Sequence, residues 1–320
     1  MFTKYLRFMS GTMAQLHCLH ITKRFSVFRS STLKDVALHV LETGDVEMKA
    51  ALTDFYVECY ESNKIDRISD DYSEGRAVLD VPNRPEKNEN IKPIGRTGIE
   101  TTIHGIAHAE SVAIDLFWDV IARFTHYNLP RSFYDEMVHI AGQESQHFMA
   151  WFNRLEASNY PFGSLAVHDG LWKAASETST SLLARLAIVN MLHEARGLDT
   201  FALSMGKFKK IKDEVSIAVL NTNYLEEVTH VAAGVKWFSF LCQEYDRKGY
   251  GSIGGQEEAK MLESLQHDPK LAFQSIARKH FRGPLRGPFN VEARAAAGLL
   301  EDWYMPLTEA IVVPDAPQLQ

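Results

Sequence analysis

Apolar residues recur three and four positions apart over long stretches of this chain, the spacing of an amphipathic helix, and strand-like alternation is scarce. Ser31 or Thr32 is placed to cap a helix through LKDVALHVLETGD, and Asp45 to start a second over VEMKAALTDFYVECYES. Residues 62–98 then turn charged and rich in Pro and Gly, the composition of an irregular linker. Four long helical segments follow. The first covers about 99–127 and ends before Asn128-Leu129-Pro130; the second runs from Ser132, as N-cap, to Glu156; the third covers about 176–207 and the fourth about 213–245. Between the second and third lies SNYPFGSLAVHDGLW, too long for a tight turn. After GYGSIGG come a short helix near 257–265, the turn-rich RGPLRGPFN and a last helix around 291–303. The pattern predicts an all-α protein with a four-helix bundle at 99–246 and a long crossover between its second and third helices. Around it stand a basic extension at 1–31, a helical arm and linker at 32–98, and a helical extension at 247–320.

Chemistry enters through two copies of Glu-x-x-His, Glu144 with His147 and Glu227 with His230, on the second and fourth helices. Three-residue spacing puts both side chains on one helix face, within reach of a single ion. Glu110 and Glu194 sit among apolar neighbours on the first and third helices, where an unpaired carboxylate is costly. Glu110 precedes Glu144 by 34 residues and Glu194 precedes Glu227 by 33, so in two antiparallel hairpins all four fall at one depth. An internal repeat supports the pairing: Glu110, Asp115 and Phe117 match Glu194, Asp199 and Phe201 at the same offsets, and Trp151-Phe152 echoes Trp237-Phe238.

Four carboxylates balance two divalent ions. Mixed oxygen and nitrogen ligands with open positions favour iron, with manganese next, over structural zinc or calcium. The expected metal ligands are therefore Glu110, Glu144, His147, Glu194, Glu227 and His230, holding two Fe ions. Gln143 and Glu226 lie four residues before a ligand histidine and are placed to orient an imidazole on the facing helix. Asp115 and Asp199 are partners either for histidine or for Arg123, Arg185 and Arg196. His104, His108 and His193 lie near the ligands but read as ordinary core or surface histidines, and Trp151 as core packing.

Composition narrows the classes. The 320 residues carry a net charge of −7, which disfavours a dedicated nucleic-acid binder; Lys207, Lys209, Lys210 and Lys212 read as charge at a helix C-terminus. No apolar run is long enough to span a bilayer. Three scattered cysteines make neither a disulfide framework nor a zinc site. Residues 1–34 hold six basic residues and no acid, interleaved with Phe, Leu and Ser; this composition predicts mitochondrial targeting, the alternative being a solvated tail on a cytoplasmic protein.

The blocks HGIAHAESVAIDLFWD (104–119), LPRSFYDEMVHIAGQESQHF (129–148), YPFGSLAVHDGLW (160–172), LLARLAIVNMLHEARGLD (182–199), NYLEEVTHVAAGVKWF (223–238) and RGPFN (286–290) resemble the ferritin-like superfamily. More narrowly, they are similar to an uncharacterised bacterial and eukaryotic ferritin-like family. The resemblance implies a bundle with a dinuclear centre and brings no reaction with it. The favoured function is O2-dependent oxidation or hydroxylation of a small organic substrate, fed by a separate electron donor. The alternatives are a ferroxidase or other iron-handling protein, and a structural subunit of an organellar assembly that retains its metal. A homodimer or larger assembly is left open, as is the work of RGPFN.

Overall fold

A computed structural model describes residues 31–70, 98–245, 255–281 and 284–309. Residues 1–30 of the basic extension, including Cys18, and most of the linker lie outside them. Among the described residues every regular element is helical and there is no strand.

Thr32 and Asp35 form a capping box that starts α1 (Leu33–Leu41), and Asp45 accepts the Met48 N–H at 2.8 Å to start α2 (Val46–Glu61). The first long helix, α3 (Ile99–Arg123), stops four residues earlier than its pattern suggests. A 3-10 turn at Thr125–Tyr127 and a left-handed Asn128 (φ 47°) complete the reversal. The next helix, α4 (Arg131–Ala157), begins after Pro130 and has no side-chain cap, so Ser132 is not the N-cap expected of it.

The crossover contains a helix that its Pro/Gly-rich flanks conceal, α5 (Gly170–Glu177). Ser176 lies in the last turn of α5 and does not open the third long helix. That rod, α6, starts at Leu182 behind a Ser181 cap; it is α-helical at Leu182–Arg185, π-helical at Leu186–His193 and α-helical again at Glu194–Lys210. Asp213 then caps α7 (Glu214–Glu244). C-terminal to these are α8 (Gln256–Ser264), α9 (Pro269–His280), which the sequence pattern missed, α10 (Val291–Ala296) and α11 (Glu301–Tyr304). Gly298, at φ 80°, breaks what reads as one final helix.

The four long rods pack as a helical bundle with antiparallel neighbours. Lys207 reaches Thr102 (3.0 Å) at one end of the α3–α6 pair, and Arg185 reaches Asp119 near the other. Arg154 with Asp213 (2.9 Å) and Trp237 with Glu136 (2.5 Å) align α4 against α7 in the same way. A core rich in Phe117, Trp118, Phe133, Phe148, Leu186 and Phe238 fills the interior. The arm docks on its outside: Trp118 donates to Thr53 Oγ1 (3.0 Å), and Ser145 donates to the Ala50 carbonyl (3.0 Å). No described helix is long and apolar enough to cross a membrane.

Candidate metal centre

Each of the four rods contributes acid to one buried cluster. Glu110 comes from α3, Glu144 and His147 from α4, Glu194 from α6, and Glu227 and His230 from α7; they form two overlapping groups whose ligand atoms lie within 4.8 Å of one another. One group is Glu110, Glu144, His147 and Glu227, and the other is Glu144, Glu194, Glu227 and His230.

The two shared acids divide their oxygens between the groups. Glu144 places Oε2 at 3.5 Å from His147 Nδ1 and Oε1 at 2.8 Å from His230 Nδ1. Glu227 does the same, with Oε1 at 3.7 Å from His147 Nδ1 and Oε2 at 3.7 Å from His230 Nδ1. Glu110 Oε2 stands 3.9 Å from His147 Nδ1. These approaches lack hydrogen-bond geometry: both Glu144 oxygens and both Nδ1 atoms are buried without a hydrogen-bond partner. Orphaned groups this deep inside a protein require an explanation. A cation between them supplies one, because carboxylate oxygens and imidazole nitrogens that cannot bond one another can all face the same ion. The residues therefore fit a metal.

The other ring nitrogens are held from across the bundle. His147 Nε2 lies 2.6 Å from Glu226 Oε2, and His230 Nε2 lies 2.9 Å from Gln143 Oε1. An acceptor at Nε2 keeps the proton there and leaves the Nδ1 lone pair facing the cluster. Asp115 and Asp199 do not join the centre. Asp115 pairs with Lys49 of α2, while Asp199 takes a two-pronged contact from Arg294 (2.9 and 2.6 Å) and only a distant approach from Arg196 (3.9 Å). The acid that Arg123 and Arg185 do share is Asp119.

Charge in the bare cluster is unbalanced. Burial, reinforced by Glu144 and Glu227, pushes Glu110 up to about 8, and burial with Glu227 pushes Glu194 well above the carboxylate range. Burial opposes ionisation of Glu144 as well, but His230 and His147 outweigh it and hold that carboxyl below its ordinary value. Both imidazoles rise against burial: His147 through Glu110, Glu144 and Glu226, and His230 to about 9 through Glu144 and Glu227. Glu144 and His230 are sealed at 0% exposure, whereas Glu110 (12%) and Glu227 (13%) reach the surface, so the centre opens along their edge.

The nearby histidines stay outside. His104 accepts the Gly163 N–H (2.9 Å) and stacks on Phe162, His108 faces the His168 carbonyl (3.2 Å), and His193 lies against Phe281. Trp151 is core, stacked on Phe208; with the Asn223 amide turned to satisfy its neighbours, the Trp151 indole N–H donates to it at 3.0 Å. RGPFN acts as a strap. Asn290 donates from its backbone to Asp199 (2.9 Å) and from its side chain to the Tyr224 hydroxyl (3.1 Å), tying α6 to α7 beside Glu194 and Glu227. No spacing rule links those residues along the chain, so sequence reasoning left them unread.

The family described as "Protein of unknown function (DUF455)" matches residues 42–305. An uncharacterized protein of Haemophilus influenzae is 28% identical over 235 residues, covering 71% of this chain and 72% of that one. No solved structure matches the chain.

Proposed function

The chain belongs to the DUF455 family, whose description carries no reaction, and from the centre itself we propose a ferritin-like dinuclear iron oxidoreductase that uses dioxygen to oxidise a small organic substrate. The observation that carries this reading is the division of Glu144 and Glu227 between two histidines. Two carboxylates shared by two ligand groups, each completed by one further Glu and one His, would hold a pair of ions and not one. Nitrogen and oxygen donors in this ratio suit iron best and manganese next.

A bound diferrous pair supplies two electrons and open coordination positions for dioxygen. The chain's residues do the rest. Glu110, Glu144, Glu194 and Glu227 neutralise the ions, so the loaded centre is stable in the core. Gln143 and Glu226 fix the imidazole tautomers, and Phe117 packs edge-on to His230 at 6.0 Å to keep water from its sealed side. Substrate enters along the Glu110 and Glu227 edge. Hydroxylation of a substrate C–H bond by dioxygen would release the second oxygen atom as water and would draw two electrons and two protons from an external donor. On the composition of residues 1–31 we assign this chemistry to the mitochondrion, which a fluorescent fusion of that segment tests.

The test is metal content followed by oxygen. The purified protein is expected to hold two irons per chain, and the anaerobic ferrous form to consume oxygen when mixed with it. Storage predicts continued uptake of ferrous ion far beyond two per chain. A single ion, or a mononuclear spectrum, overturns the dinuclear reading.

A further inference from the structure

One buried polar side chain, four residues before the ligand Glu194, has no hydrogen-bond partner in the fold. Asn190 is 1% exposed, and neither its amide nitrogen nor its amide oxygen has a hydrogen-bond partner. It lies in the π-helical stretch Leu186–His193 that runs directly into Glu194. Such wide turns are frequent at functional sites.

Its neighbours fix its place in the bundle. Val189 packs with Val112 and Leu116 of α3, and Met191 packs on Gly234 of α7, where an added Cβ would come within 3.0 Å of Met191 Cγ. Asn190 lies between those two contacts, buried on the part of α6 that packs against α3 and α7. It precedes Glu194 by four residues, close to one π-helical turn, which puts both on the same face. The Asn190 main chain is itself pressed on α7: a Cβ on Gly234 would lie 2.3 Å from its carbonyl oxygen.

A free carboxamide in an apolar core is destabilising, and a leucine of similar size would serve packing better. The position makes sense if the amide meets something other than protein. We propose that the Asn190 amide N–H would donate to a water-sized, hydrogen-bond-accepting exogenous ligand on the sealed side of the centre when the metal pair is bound. The inference rests on the dinuclear reading above and adds a residue that binds the exogenous ligand without binding metal.

Azide, a small anion that ligates ferric iron and accepts hydrogen bonds, is the probe. Full-length protein is oxidised with two irons bound and titrated with azide, alongside Asn190→Leu and Asn190→Ala. Both variants are expected to keep two irons and to bind azide about tenfold more weakly, the effect of losing one donor to a charged ligand. The metal-free Asn190→Leu protein is expected to melt about 2–4 °C higher than wild type, because the orphaned amide is gone. Azide affinity within twofold of wild type at full iron content overturns the inference and leaves the dinuclear reading intact. A fall in iron content makes Asn190 a structural support and also overturns it. Wild-type protein without two irons sinks the dinuclear reading, and this inference with it. If Asn190→Leu does not fold, Asn190→Ala decides alone.

Discussion

Two groups of buried acids in this protein meet opposite fates. Asp119 is completely buried and accepts hydrogen bonds from Arg123 (2.6–3.1 Å) and from Arg185. Burial pushes its carboxyl up, but the two guanidiniums outweigh it and hold the group below the usual aspartate value. The centre also buries acid, four carboxylates of it, yet the ion pairs these acids make among the described residues run to His147 and His230, and none runs to a Lys or Arg. There Glu110 and Glu194 are driven toward the protonated form. Burial is common to both places, so the source of positive charge decides. In the first the chain supplies its own cations; in the second it has left room for cations from outside.

The comparison breaks most sharply at the shared acids. Glu144→Ala or Glu227→Ala removes a ligand from both positions, and iron content should fall from two per chain to nearly none, whereas Glu110→Ala or Glu194→Ala should leave about one. Metal analysis of the four variants checks this, and equal losses across them would end the bridging assignment. At the self-balanced site the effect is on stability. Arg185→Met leaves Asp119 with Arg123 alone and unties the crossover, since Arg185 also donates to Thr178 (3.1 Å) and to the Ala175 carbonyl. It should cost about 3–5 kcal/mol, seen in chemical unfolding, while iron content per folded chain stays unchanged. A smaller effect is expected at Glu226, whose carboxylate orients His147 and ligates nothing. Glu226→Ala should weaken metal affinity about 10–100-fold, measured by competition with a chelator, and an unaltered affinity would show that the imidazole needs no such support.

The two groups also differ in how legible they are. The cluster is written in local code: Glu-x-x-His puts both ligands on one face of a regular helix, and two near-equal spacings bring four such faces to one depth. Gln143 and Glu226 are readable for the same reason, each one turn before a histidine. Asp115 and Asp199 occupy matching places in the internal repeat, yet their partners, Lys49 and Arg294, lie 66 and 95 residues away, and no periodicity reports contacts over such distances. Helix α5 is masked in the pattern by the Pro and Gly that flank it, whereas α9 carries a regular start signal in Asp268 and Pro269. The π-helical stretch is invisible in principle at this resolution of pattern. LAIVNML is apolar at nearly every position, so a turn of 4.4 residues leaves no mark that a turn of 3.6 would not.

The finest test of the comparison is acidity. In the metal-free protein the folded Glu110 carboxyl titrates at about 8 against an ordinary 4.5. A group whose folded value is raised holds its proton better when folded, so its contribution to stability is complete below 4.5 and disappears as pH rises through about 8. His230, raised from 6.5 to about 9, has the same sign, and its contribution is lost between those values. Asp119 runs the other way: its folded value is lowered, so its contribution is present above 3.8, is lost only as pH falls, and is constant across the window in which the centre titrates. The metal-free Tm should therefore decline as pH rises from 4.5 toward about 9. With iron bound the carboxylates are already ionised and the imidazoles neutral at Nδ1, and because protons compete with metal for these groups, the gap between loaded and metal-free Tm should widen with pH. Calorimetry with and without chelator measures that gap. Parallel curves would mean that the acids of the centre, like Asp119, had found their cations within the chain.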